Sequence, residues 1–202
     1  MVSKEPLKSE SKPSAHLTPP LSSRIKLSPE ADAWVEKLLD SRGGIILAFA
    51  QVEWFMAKLI VEAAGFEQYL HLDLSFTQDA AKRADRLTNI LSTKGPISPY
   101  ADELKSIIGR ILKHENLRNF AAHGLLVRPD DITLDSKLHF RLYRMYKGGN
   151  LVEETLDLTL KEYTDQTSEL TGAAREFITV VRKIWAELKL PPLDDSKLIL
   201  AR

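Results

Sequence analysis

Apolar residues recur at three- and four-residue spacing along most of this chain, and one central stretch switches to strict alternation. Ser28-Pro29-Glu30 reads as a helix start, with serine at the N-cap, proline at the first helical position and acids in the first turn. That helix runs through Trp34, Leu38 and Leu39 and is expected to break at Gly43-Gly44. A second helix follows from Ile45 to about Ala64, with Ile46, Phe49, Val52, Met56, Leu59 and Ala63 as its apolar face and Gly65 at its end. Ser75 and Gln78 have the spacing of a capping box for a third helix that buries Ala80, Ala84, Leu87 and Leu91. After Gly95-Pro96, Ser98 caps a fourth helix with Pro99 at its first position, ending near His123-Gly124.

Between Leu125 and Thr159 the period becomes two. Leu138, Phe140 and Leu142 alternate with His139, Arg141 and Tyr143, and Leu156, Leu158 and Leu160 alternate with Asp157 and Thr159. Gly148-Gly149-Asn150 supplies a hairpin turn, and Pro129-Asp130-Asp131 reads as a second turn. A last helix starts near Thr159 with Glu162 three residues on. Tyr163, Thr167, Leu170, Ala174, Phe177, Val181, Ile184 and Leu188 give it a seam of about three and a half heptads, suited to a bundle core or in part to a dimer contact. Pro191-Pro192 stops it. The expected fold is mainly α: an antiparallel bundle of about five helices with a small inserted antiparallel β-sheet.

Residues 1–27 are rich in Ser, Lys and Pro and read as a disordered tail. The helical domain spans 28–190, with the β insertion at about 125–159, and 191–202 forms a loosely held end. Lys plus Arg equals Asp plus Glu at 28 each, so no whole-surface attraction to nucleic acid is expected. Cysteine is absent, which removes disulfides, thiolate metal sites and a cysteine nucleophile. No uninterrupted apolar run approaches the roughly 20 residues of a membrane helix. The expectation is a cytoplasmic protein with no membrane partner. His71, His114, His123 and His139 lack zinc-ligand spacing, and no Gly-rich phosphate loop is present, so neither metal nor cofactor is expected.

Chemistry is concentrated in the run Glu115-Asn116-Leu117-Arg118-Asn119-Phe120-Ala121-Ala122-His123-Gly124. Leu104, Ile107, Ile108 and Ile111 share a helix face. Carried forward at about 100° per residue, that face reaches Glu115, Arg118, Asn119 and Ala122. Ionised groups in core positions need partners, because desolvation costs several kcal/mol. Arg118 can be held by Glu115 on the adjacent turn or by Glu53, which interrupts the apolar face of the second helix, while His123 can simply cap the helix end. On one straight helix Arg118 and His123 point about 140° apart. They can converge if the helix unwinds at a left-handed Gly124, or if a second copy brings its own set alongside. The negative end of the helix dipole favours a cationic His123.

Arg118-Asn119-x-x-x-His123 resembles the Arg-x4-6-His motif of the HEPN superfamily, with Asn after the Arg as in many members. The order of helices also fits over roughly residues 29–188, although the inserted sheet is no part of the minimal family core. The resemblance implies a symmetric homodimer acting as a metal-independent endoribonuclease of toxin or defence type. His123 would then be the acid/base, Arg118 would hold the phosphate and Asn119 would orient the pair. Its alternative is a non-catalytic bundle of the same fold that binds a partner protein, such as an antitoxin or regulator, or a nucleotide. Elsewhere, Arg141, Arg144 and Lys147 with Tyr143 and Tyr146 form a basic aromatic strand able to stack and neutralise single-stranded RNA. Lys82, Arg83 and Arg86 read as a solvated helix face.

Overall fold

Helix α1 (Pro29–Ala63) runs without interruption through Gly43 and Gly44 in the computed structural model, which describes residues 28–193 apart from 76, 78, 128–132, 134 and 147. The expected break at Gly43-Gly44 is therefore corrected. Each glycine costs a helix only about 1 kcal/mol relative to alanine, and tertiary packing outweighs that. A Cβ on Gly44 would sit 3.2 Å from Cγ2 of Thr167, so the small residue lets α1 approach helix α5 (Leu160–Glu187) closely. Continuity also fixes which face is buried. Ile45, Ala48, Phe49, Val52, Phe55, Met56 and Leu59 point into the core, whereas Ile46, expected on the apolar face, is exposed, as is Leu39.

Helix α2 (Ala80–Ser92) is capped by Asp79, whose carboxylate accepts from the Lys82 N–H at 3.1 Å. The Ser75–Gln78 box is thus not the cap: Ser75 instead binds Asp73 through its N–H and hydroxyl, and Gln78 lies outside the described residues. A turn of 3-10 helix over Ser98–Tyr100 leads into α3 (Ala101–Leu112). Two residues, Lys113 and His114, then interrupt the helix before α4 (Glu115–His123). This interruption corrects the single long helix expected from Ser98 onward. It resets the helical phase, so Leu117, Phe120 and Ala121 take the core positions.

The sheet has strand order β1-β2-β3, all antiparallel, with β1 at Leu125–Val127, β2 at Lys137–Met145 and β3 at Leu151–Thr159. Phe140 pairs with Leu126 on one side and Leu156 on the other. Leu138, Phe140 and Leu142 are buried as the alternation predicts. Phe140 stacks between Phe120 of α4 and Tyr163 of α5, with ring centroids 6.5 and 5.4 Å away, and so pins the hairpin to the bundle. Gly148 and Gly149 turn the hairpin at positive φ, where residues with a Cβ are strained. The turn expected at Pro129-Asp130-Asp131 lies outside the described residues, as do residues 1–27 and 194–202.

Helix α5 begins with a complete capping box, Thr159 and Glu162 each bonding the other's backbone. Its seam residues Tyr163, Thr167, Leu170, Ala174, Phe177, Val181 and Ile184 are buried against α1 and α3. The fold is mainly α with a small antiparallel sheet, as expected.

Candidate functional site

Because α4 starts afresh after His114, Glu115 and Arg118 do not continue the apolar stripe of α3. Glu115 is exposed in the first turn of α4, while Arg118, Asn119 and Ala122 are half-buried at the edge of its contact with α1. The expectation that these groups occupy core positions is corrected on this point: they border the core.

Arg118 goes to Glu53 rather than to Glu115. Its Nη2 donates to Oε1 of Glu53 at 3.1 Å, and its Nη1 donates to Oδ1 of Asn119 at 3.0 Å. The guanidinium lies 5.9 Å from the centre of the Phe49 ring, a cation–π geometry. The side chain nevertheless remains 30% exposed. Glu53 binds a second cation through its other oxygen: Arg83 Nη1 donates to Oε2 at 3.3 Å and to the Glu53 carbonyl at 3.2 Å. Arg83 also donates through Nε and Nη2 to the carbonyl of Thr77 and is buried. Arg83 therefore does not belong to a solvated face, and sequence pattern offered no sign of its role. Its neighbour Arg86 is tied to Asp73, 2.6 Å away. One carboxylate on α1 thus holds arginines from α2 and α4.

His123 is the last residue of α4. It is exposed and has no hydrogen-bond or ion-pair partner among the described residues. Gly124 is extended at φ −74°, ψ 141°, not left-handed, so the helix does not unwind to bring His123 round to Arg118. A Cβ on Gly124 would meet the Phe120 carbonyl at 2.6 Å, which accounts for glycine there. Nor does His123 cap the helix. Arg42 of α1 does so, donating from Nε to the Ala121 carbonyl at 2.5 Å and from Nη2 to the Gly124 carbonyl at 3.4 Å. Only the chain's return to α1 could reveal that role. Within one chain, then, the structure joins Glu53, Arg118 and Asn119 and leaves His123 at the far end of the same short helix.

Tyr163 lies beneath this region, fully buried, and its hydroxyl finds no hydrogen-bond partner among the described residues. Burial pushes its pKa up to about 12 despite the opposing charge of Arg42.

The basic aromatic strand is neutralised across the hairpin. Arg144 lies 3.0 Å from Glu154 and Arg141 3.7 Å from Glu153. The hydroxyls of Tyr143 and Tyr146 donate to the same two carboxylates, which hold both phenols above their usual pKa. Lys147 lies outside the described residues. No group of three or more His, Asp or Glu side chains able to hold a metal ion occurs among the described residues. Compared with models of known protein families, with curated proteins and with solved structures, the chain finds no match.

Proposed function

We propose that the chain is a HEPN-like, metal-independent endoribonuclease of toxin or defence type that works as a homodimer. The observation that carries this reading is a guanidinium held in place by Glu53 and Asn119 yet still 30% exposed, on the same nine-residue helix that ends in an exposed histidine with no partner among the described residues. Arginine in a fixed orientation presents paired N–H donors to a phosphate. Neutral imidazole accepts a proton and imidazolium donates one near neutral pH.

In the reaction, the ribose 2′-oxygen forms a bond to phosphorus as its proton passes to a neutral His123. The bond from phosphorus to the 5′-oxygen breaks, and a protonated histidine returns a proton to that oxygen. Arg118 binds the non-bridging oxygens, where charge grows in the transition state. The products are a 2′,3′-cyclic phosphate and a 5′-hydroxyl end. A regular α4 holds Arg118 and His123 about 140° apart, so the acid, base and cation are gathered from two copies of the chain.

The test is cleavage of single-stranded RNA by wild type, Arg118→Ala and His123→Ala proteins. Each substitution should slow cleavage by about 10²- to 10⁴-fold and leave the circular dichroism spectrum unchanged. An undiminished rate in His123→Ala overturns the assignment. The ion pair between Arg118 and Glu53 favours a second reading, a non-catalytic bundle that binds a partner protein or nucleotide, because it already satisfies the cation. Absence of cleavage by wild type selects that reading.

A further inference from the structure

Helix α1 has two apolar faces, and among the described residues only one is fully covered. An 18-residue window of it has a mean hydropathy of 1.7, enough by length and composition to cross a membrane, yet only 50% of that window is buried in the bundle. The other side carries Leu39, Gly43, Ile46, Ala50, Trp54, Ala57 and Val61 in heptad-like succession; Trp54 packs in part against the core, and Ala57 and Val61 line a small pocket with Leu74, Ser75 and Thr77. Leu39 is 58%, Ile46 42% and Val61 55% exposed, Gly43 and Ala50 are exposed, and Trp54 and Ala57 are half-buried.

This stripe reads the same in both directions. Counting outward from Ala50, Ile46 and Trp54 are equally distant, as are Gly43 and Ala57, and then Leu39 and Val61. Large residues mirror large ones, small residues mirror small ones, and the smallest side chain of the inner set lies at the centre. A two-fold contact uses the same patch on both partners, so a patch complementary to its own reversed copy is what it requires. Asp40 and Lys58 border the stripe on one flank, at nearly the same distance on opposite sides of Ala50, while Glu36 and Glu62 lie beyond its ends. An antiparallel pair therefore brings Asp40 of one chain beside Lys58 of the other.

We infer that this stripe is the seat of a second copy of the chain, with α1 packed antiparallel on its mate and the two-fold passing beside Ala50. The inference rests on the dimeric reading above and gives it a surface. Arg42, Phe49 and Glu53, which reach α4 from α1, all lie on the flank opposite Asp40 and Lys58. A two-fold normal to both helices keeps a flank on its own side. Both α4 helices, each with Arg118 and His123, therefore share one face of the pair. Glu53 stands less than one helical turn from the axis, about 4.5 Å along the helix, so the two Glu53–Arg118 pairs flank the centre of that face.

Two variants test this, with light scattering as the readout. Wild type should have twice the 22.8 kDa mass of one chain, and Ala50→Glu, which sets two carboxylates against each other at the axis, should be a monomer with an unchanged circular dichroism spectrum. Because the chain has no cysteine, Ala50→Cys gives a single thiol, which a short bis-maleimide should join into a covalent dimer. Ser106→Cys, exposed on α3, should stay unjoined. A dimer that survives Ala50→Glu overturns the inference. So does a wild-type monomer, whether the thiol of the Ala50→Cys variant is shielded from maleimide by the chain's own residues or the protein floats with phosphatidylcholine vesicles. RNA cleavage measured beside these masses separates the two ideas. A dimer built through Ala50 that leaves RNA intact keeps the surface and removes the nuclease; an Ala50→Glu protein that stays dimeric and cleaves does the reverse.

Discussion

Two parts of this molecule mix arginine, carboxylate and aromatic rings, and they do so to different ends. On the β2–β3 hairpin Arg141 and Arg144 reach diagonally to Glu153 and Glu154 on the neighbouring strand, at the surface, and the charges cancel in pairs. Around Glu53 the charges come from three helices, are mostly withdrawn from water and share a single carboxylate. Similar residue types thus form a solvated ladder in one place and a structural junction in the other. The difference is enclosure. Exposed pairs contribute little because water and salt screen them, whereas a partly buried guanidinium without its carboxylate retains its full desolvation cost.

The sharpest way to break the comparison is to remove the shared carboxylate. Glu53→Gln removes the carboxylate that Arg83 and Arg118 share and should cost about 2 kcal/mol, measured by urea unfolding at neutral pH. A loss no larger than that of an exposed carboxylate would place the junction in the same class as the hairpin ladder. A smaller effect is expected on the hairpin. A double-mutant cycle on Arg144 and Glu154 should give a coupling of about 0.5 kcal/mol that shrinks further in molar salt.

The smallest effect concerns Asp73, which lies at the edge of the Glu53 region but faces solvent. Hydrogen bonds from Ser75, then the Arg86 guanidinium, bring its pKa from 3.8 to about 2. A carboxyl with a depressed folded-state pKa stabilises the fold above its ordinary value, and that contribution disappears as the pH falls through the lowered one. The stability difference between wild type and Asp73→Asn should therefore be steady above pH 3.8, then shrink and vanish toward pH about 2. Urea midpoints across that range check it, and a difference unchanged at the acid end would show that the hydrogen bonds do not depend on the charge.

Much of the architecture was legible along the chain because local chemistry settles it. Ser28 with Pro29 starts α1, Thr159 with Glu162 starts α5, and Gly148-Gly149 turns the hairpin. The seam of α5 stays buried almost to its end because one unbroken period serves one core. The pairing of Arg118 with Glu53 was also open to inference, since Glu53 interrupts an otherwise apolar helix face.

Other features depended on neighbours that no local pattern names. Glycine propensity argued for a break at Gly43-Gly44, and the close approach of Thr167 overrode it. Apolar spacing argued for one helix from Ser98 to His123, and the turn at Lys113-His114 reset its phase. The roles of Arg42 and Arg83 depend on backbone carbonyls and a carboxylate brought in from other elements. The sequence by itself determined where helices and strands start, turn and expose an apolar side, because caps, turns and periodicity act within a few residues. Tertiary structure alone decided which charges are enclosed and by whom, because desolvation and ion pairing are set by whatever the rest of the chain packs against them.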